Sequence, residues 1–170
     1  MKTVTKEILD SVAATLNKAD QAQAQNITHQ LGELQPAAMG FLFNAGEGIF
    51  NDEEREWFSY LGIAFLKSAL EMEPKLPALT SEMLEESAAD AIEFVRILRQ
   101  QSDTKTGLPD EMTKLLAAHK QPEMIKFLVA AMGVACEEEN RKVRDDCAGT
   151  MFFFLKILID TIDRSSAAEA

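Results

Sequence analysis

Two cysteines, two histidines, one tryptophan and one tyrosine are spread over 170 residues, and each scarcity excludes a class of protein. Small disulfide scaffolds carry four or more cysteines at close spacing, so Cys136 and Cys147 do not read as a disulfide framework. Buried, inert thiols in a reduced, cytoplasmic protein are expected instead. His29 and His119 form no His-x-x-x-His pair, and no Cys-x-x-Cys accompanies them, which makes a poor zinc set. Asn26 and Leu116 stand three residues before the histidines, where a ferritin-like di-metal centre needs glutamates. The longest apolar runs, 127–136 and 151–155, fall well short of the roughly 20 residues of a membrane-spanning helix. Met1 to Glu7 leads into an amphipathic pattern and not a continuous apolar stretch, so no secretory signal is expected.

Positive charge is also short. Seventeen basic residues face 28 acidic ones, a formal net charge of −11. A field of that sign repels phosphate backbones and anionic lipid, so neither nucleic acid nor a membrane is expected as a partner. It suits a solvated surface or a basic protein partner. Catalytic motifs are missing as well. Gly46-Glu47-Gly48 has neither the spacing nor the lysine of a phosphate loop, and no Gly-x-Ser-x-Gly elbow occurs. Asn51 to Glu56 lacks the alternating ligands and central glycine of a calcium loop. Asp145-Asp146 is followed by Cys147-Ala148-Gly149, with no third carboxylate one turn on. No enzyme, no metal and no cofactor are expected.

What is present is helical periodicity. Ile8, Leu9, Val12, Ala13 and Leu16 share one face of a first helix at about residues 4–17. Asp20 is placed to cap a second helix carrying Ile27, Leu31 and Leu34. Pro36 suits the first turn of a third helix, where its missing N–H costs nothing. Gly40, Gly46 and Gly48 mark either its end or a close approach by a neighbour. Asn51 or Asp52 caps a fourth helix whose Glu53, Glu54 and Glu56 complement the N-terminal dipole. Its Trp57, Phe58, Tyr60, Leu61, Ile63, Ala64, Phe65 and Leu66 cover most of the circumference, as in a helix central to its fold.

Pro74-Lys75-Leu76-Pro77 forms a hinge, and Thr80 caps a fifth helix. Its inner side is expected to carry Met83, Leu84, Ala88, Ala91, Ile92, Val95 and Leu98. A polar loop from Ser102 to Pro109 precedes a short sixth helix with Met112, Leu115 and Leu116. The seventh helix starts at Pro122, and the eighth ends near Asp163. Between them, Glu137 to Asp146 holds no Gly or Pro, and its Glu137/Arg141 and Glu138/Lys142 spacings favour continuous helix. A break there is argued only by a repeat in the sequence and by the rarity of helices about 40 residues long.

That repeat is the strongest organising signal. Gln35-Pro36 opens a helix with Phe41-Leu42, and Gln121-Pro122 opens one with Phe127-Leu128; the later helices carry Phe65-Leu66-Lys67 and Phe154-Leu155-Lys156. The expected fold is therefore all-α: a helical bundle or short helical-repeat stack of seven to eight helices with an internal duplication. One domain spans residues 1–164, with halves at about 1–73 and 78–164, and 165–170 is a frayed tail. The expected function is a non-enzymatic protein–protein interaction module, an acidic adaptor or inhibitor, with a homodimer as a further use of its surplus apolar surface. The alternative is a small-molecule-binding protein or cryptic enzyme with a cavity between the repeats. Trp57, Tyr60, Phe153, Glu53, Glu54 and Glu56 are the expected ligand or partner surface.

Overall fold

A computed structural model of the chain describes residues 2–102, 119–137 and 141–165, residues 97–102 by their backbone alone. Seven helices run through the described residues: α1 (Lys6–Lys18), α2 (Gln21–Leu34), α3 (Pro36–Asn44), α4 (Asp52–Met72), α5 (Ser81–Ser102), α6 (Pro122–Ala135) and α7 (Asp145–Ser165). None is long and apolar enough to cross a membrane. The short helix expected around Met112, Leu115 and Leu116, most of the loop before it, and the tail beyond Ser165 lie outside the described residues.

Helix starts follow local chemistry. The Thr5 hydroxyl accepts from Ile8 N at 3.5 Å and that of Thr80 from Met83 N at 3.2 Å. Asp20 with Gln23, and Asn51 with Glu54, each close a reciprocal capping box, satisfying backbone donors that a helix end leaves free. Pro36 and Pro122 occupy the first turns of α3 and α6. α3 ends at Asn44, earlier than its apolar pattern implies, because Gly46 and Gly48 take φ of 79° and 74°. Only glycine adopts that backbone easily. It lets Ile49 and Phe50 bond back to the Gly46 carbonyl and turns Phe50 into the core.

α4 and α7, the helices with the most buried residues, pack against each other. α1 lies on α4 and also touches α6; α5 lies on α7 and also touches α3. One core cluster runs through both halves of the chain, from Val4 and Leu9 through Phe58, Leu61 and Phe65 to Leu128, Met151 and Leu158. Phe154 joins its aromatic part, edge-on to Phe41 and Phe50 at centroid distances of 6.1 and 6.2 Å. The stretch between α6 and α7 does break the helix. Lys142 N and Val143 N both donate to Ala135 O, Val143 is buried, and α7 starts afresh at Asp145. Two sequence expectations need correction. Ile92 is 62% exposed, because the face of α5 turned inward runs through Leu84, Ser87 and Ala91. Ser165 belongs to α7 and is buried, its hydroxyl donating to Ile162 O.

Gly62 of α4 packs directly against Leu42 of α3. A Cβ there would stand 2.2 Å from Leu42 Cδ2 and 2.7 Å from Cδ1, and Leu42 is itself buried. Gly62→Ala is expected to destabilise the protein by about 1–3 kcal/mol through overpacking, partly offset by better helix propensity. In a Leu42→Ala background the same change should be neutral or stabilising. Urea unfolding of the four proteins gives the coupling, and additive effects would show that the helices do not close on this glycine.

Candidate functional site

Glu53, Glu56, Trp57 and Tyr60 stand at i, i+3, i+4 and i+7 on α4, a spacing that places them on one face. That face opens as a cavity of about 340 Å³, which Leu16 and Asn17 at the end of α1 and Lys142 complete. The rings of Trp57 and Tyr60 stack, with centroids 5.3 Å apart and planes 16° from parallel. Asn17 bonds the Tyr60 hydroxyl, while burial pushes that phenol above its ordinary pKa of 10.0. Both carboxylates are exposed at the rim. Trp57 Nε1 is buried, with no hydrogen-bond partner among the described residues.

The Lys142 ammonium lies over the Trp57 ring, 4.5 Å from its centroid, the geometry in which a cation is drawn to an aromatic face. Its backbone is held on both sides. Lys142 N donates to Ala135 O at 2.8 Å, Val143 is buried beside it, and Arg144 is tied to Glu54. The cavity therefore presents an aromatic floor, two carboxylates and one resident cation. Such a site attracts positive groups.

Glu54 stands apart from this face, contrary to the sequence expectation. The capping position turns it inward, and it is wholly buried. Its Oε2 accepts from Asn51 N at 2.9 Å, and Oε1 accepts from Arg144 N at 2.9 Å. Arg144 Nε donates to Oε1 and Nη2 to Oε2, each at 3.0 Å, in a bidentate pair. The Arg144 guanidinium, with these backbone donors, holds the carboxyl down at about 2, despite the opposing effect of burial. Glu54 is thus a clamp joining the starts of α4 and α7.

Phe153 is placed elsewhere too. It lines a cavity of about 910 Å³ between α5 and α7, with Ile92, Val95, Arg96, Thr150 and Phe154 among its neighbours. That cavity lies within the second half of the chain and not between the halves.

A further polar cluster sits near the end of α7. Gln121 N donates to His119 Nδ1 at 2.9 Å, which leaves Nε2–H to donate to Asp160 at 2.7 Å. Lys156 Nζ bonds the other Asp160 oxygen at 2.6 Å. His and Asp are the residue types of a general base and its orienting group, and here both imidazole nitrogens are engaged by partners within the fold. Cys136 and Cys147 are free thiols, and burial raises the pKa of Cys147.

Four of the six residues expected at the surface site thus share one cavity. Lys142, Asn17 and Leu16 join them without any signal in the sequence that would assign them there. Lys142 is 85 residues along the chain from Trp57, and no local pattern connects them. The spacing of the four α4 residues, by contrast, is a usable signal that composition alone obscures. The chain matches no protein-family model, no curated protein and no solved structure.

Proposed function

We propose that this protein is a non-enzymatic interaction module that takes a basic segment of a partner protein on the acidic, aromatic face of α4. One observation carries the reading: Glu53, Glu56, Trp57 and Tyr60 line a single cavity in which a cation already rests on the tryptophan. The carboxylates supply long-range attraction, strengthened by the net charge of −11. The stacked rings supply a flat apolar contact that needs little ordering. Two free thiols suit a reduced, cytoplasmic setting.

We also propose that the frame presenting this face arose by duplication within a helical bundle. Support comes from the two Gln-Pro sites. Gln35 bonds Leu79 N, just before the capping Thr80 of α5. Gln121 bonds Val4 N, just before the capping Thr5 of α1. Each half thus fastens the first helix of the other, and the partnerships of α1 with α4 and α6 are repeated by α5 with α7 and α3.

Binding is tested by fluorescence anisotropy with labelled lysine-rich and glutamate-rich peptides. The lysine-rich peptide should bind with marked salt dependence and the glutamate-rich one should not. Glu53→Gln/Glu56→Gln should weaken binding about tenfold, roughly the loss of two partly screened charge contacts. A control pair on α5, Glu82→Gln/Glu85→Gln, removes the same charge from exposed positions and should leave affinity nearly unchanged. Equal losses in both variants would reduce the effect to net charge and defeat the assignment to α4.

A further inference from the structure

We infer that the group seated in the α4 cavity is the side-chain ammonium of a partner lysine, and that Lys142 holds the same seat in the unbound chain. The inference rests on the binding reading above and adds the ligand chemistry and a competitor to it. Lys142 Nζ lies 4.5 Å from the Trp57 centroid, so the ring face already accepts an alkylammonium. Glu53 and Glu56 line the same cavity and complement that charge. The cavity, about 340 Å³, is at the small end for ligand sites, which suits one long side chain better than a large molecule.

The Lys142 side chain is exposed and is free to leave without loss of the fold. Its structural work is done by backbone, through the bond from Lys142 N to Ala135 O, and by its neighbours Val143 and Arg144. The ammonium gains a ring face and nearby carboxylates, and a partner lysine gains the same groups when it arrives. Exchange of one ammonium for another leaves the charge of the cavity unchanged. Apparent affinity is then set by how often Lys142 vacates the ring, since a ligand binds only the competent fraction.

The only tryptophan in the chain is Trp57, so intrinsic fluorescence reports this cavity alone. Nα-acetyl-lysine N-methylamide is titrated into the wild type, Lys142→Gln and Lys142→Met, with the corresponding norleucine compound as the neutral control. The lysine compound should change the fluorescence saturably and the norleucine compound should not. Both variants should bind about two- to fivefold more tightly, the range expected for removing an exposed competing cation–π contact. Lys142→Met keeps the apolar stem, so the same gain in both variants separates charge from packing. Unchanged affinity in the two variants would overturn the competitor role. Saturable binding of free diamines far tighter than of the lysine compound would overturn the lysine assignment. If lysine-rich peptides bind through Glu53 and Glu56 while the lysine compound gives no saturable signal, this inference fails and the interaction module stands. If neither binds, both fail.

Discussion

Glu54→Gln is expected to lower stability at neutral pH by about 2–3 kcal/mol and to remove most of the acid sensitivity of the fold. Glu54 has no exposed surface, and its carboxyl is held at about 2 against an ordinary 4.5. That gap corresponds to on the order of 3 kcal/mol of linkage. Arg144 is 49% exposed, so solvent screens part of the attraction and the lower figure is the better guide. Glutamine retains one oxygen, enough for either the Asn51 or the Arg144 backbone donor, and its NH₂ must then face the other backbone N–H together with an Arg144 side-chain N–H.

The direction with pH follows from the depressed folded value. A carboxyl ionised more readily when folded contributes its full stability above about 4.5 and loses it as pH falls toward about 2. Urea unfolding of wild type at pH 7 and pH 3 should show a loss over this window that Glu54→Gln largely lacks. Parallel pH dependence in the two proteins would mean that the clamp is not the titrating element. Glu54→Ala should cost more, about 3–5 kcal/mol, since it also removes the capping partner of Asn51 and leaves the Arg144 backbone N–H without its acceptor.

Gln35→Leu should cost about 2–4 kcal/mol, and Gln121→Leu about the same. Gln35 is fully buried; its Oε1 accepts from Leu79 N at 2.7 Å and its Nε2 donates to Pro77 O at 3.2 Å. Gln121 is 1% exposed, accepts from Val4 N at 2.9 Å and donates to Asp163 at 3.3 Å. Leucine is similar in size but leaves a buried backbone N–H unpaired in each case, with a penalty of about 1–3 kcal/mol before the second bond is counted. Hydrogen exchange localises the effect. The Leu79 amide should lose protection in Gln35→Leu only, and the Val4 amide in Gln121→Leu only. If both variants unfold at wild-type urea concentrations, the glutamines are passengers and the reciprocal fastening of the halves has no energetic meaning.

These two glutamines show how far sequence carries. The Gln-Pro pairs are visible as a repeat, and proline in each explains a helix start. What the glutamine side chains fasten is not visible, because their partners lie 44 and 117 residues away. The acidic start of α4 divides in the same way. Glu53, Glu54 and Glu56 are alike in type, yet the helix turns Glu54 inward and leaves the other two in solvent. Phe153 and Trp57 look equally suited to a ligand surface and line different cavities.

By itself the sequence determined where helices begin and which faces are apolar, since caps and periodicity act within about four residues and need no distant partner. The i, i+3, i+4, i+7 spacing of Glu53, Glu56, Trp57 and Tyr60 is written in the sequence as well, but there Glu54 is not told apart from them. Tertiary structure decided the rest: the break before α7, where Ala135 O, Val143 and the Glu54–Arg144 pair outweigh the local preference for continuous helix, and the arrival of Lys142 over Trp57. The Glu54–Arg144 and Trp57–Lys142 contacts join segments 90 and 85 residues apart, and their geometry exists only once α4 and α7 have packed together and buried the core between them.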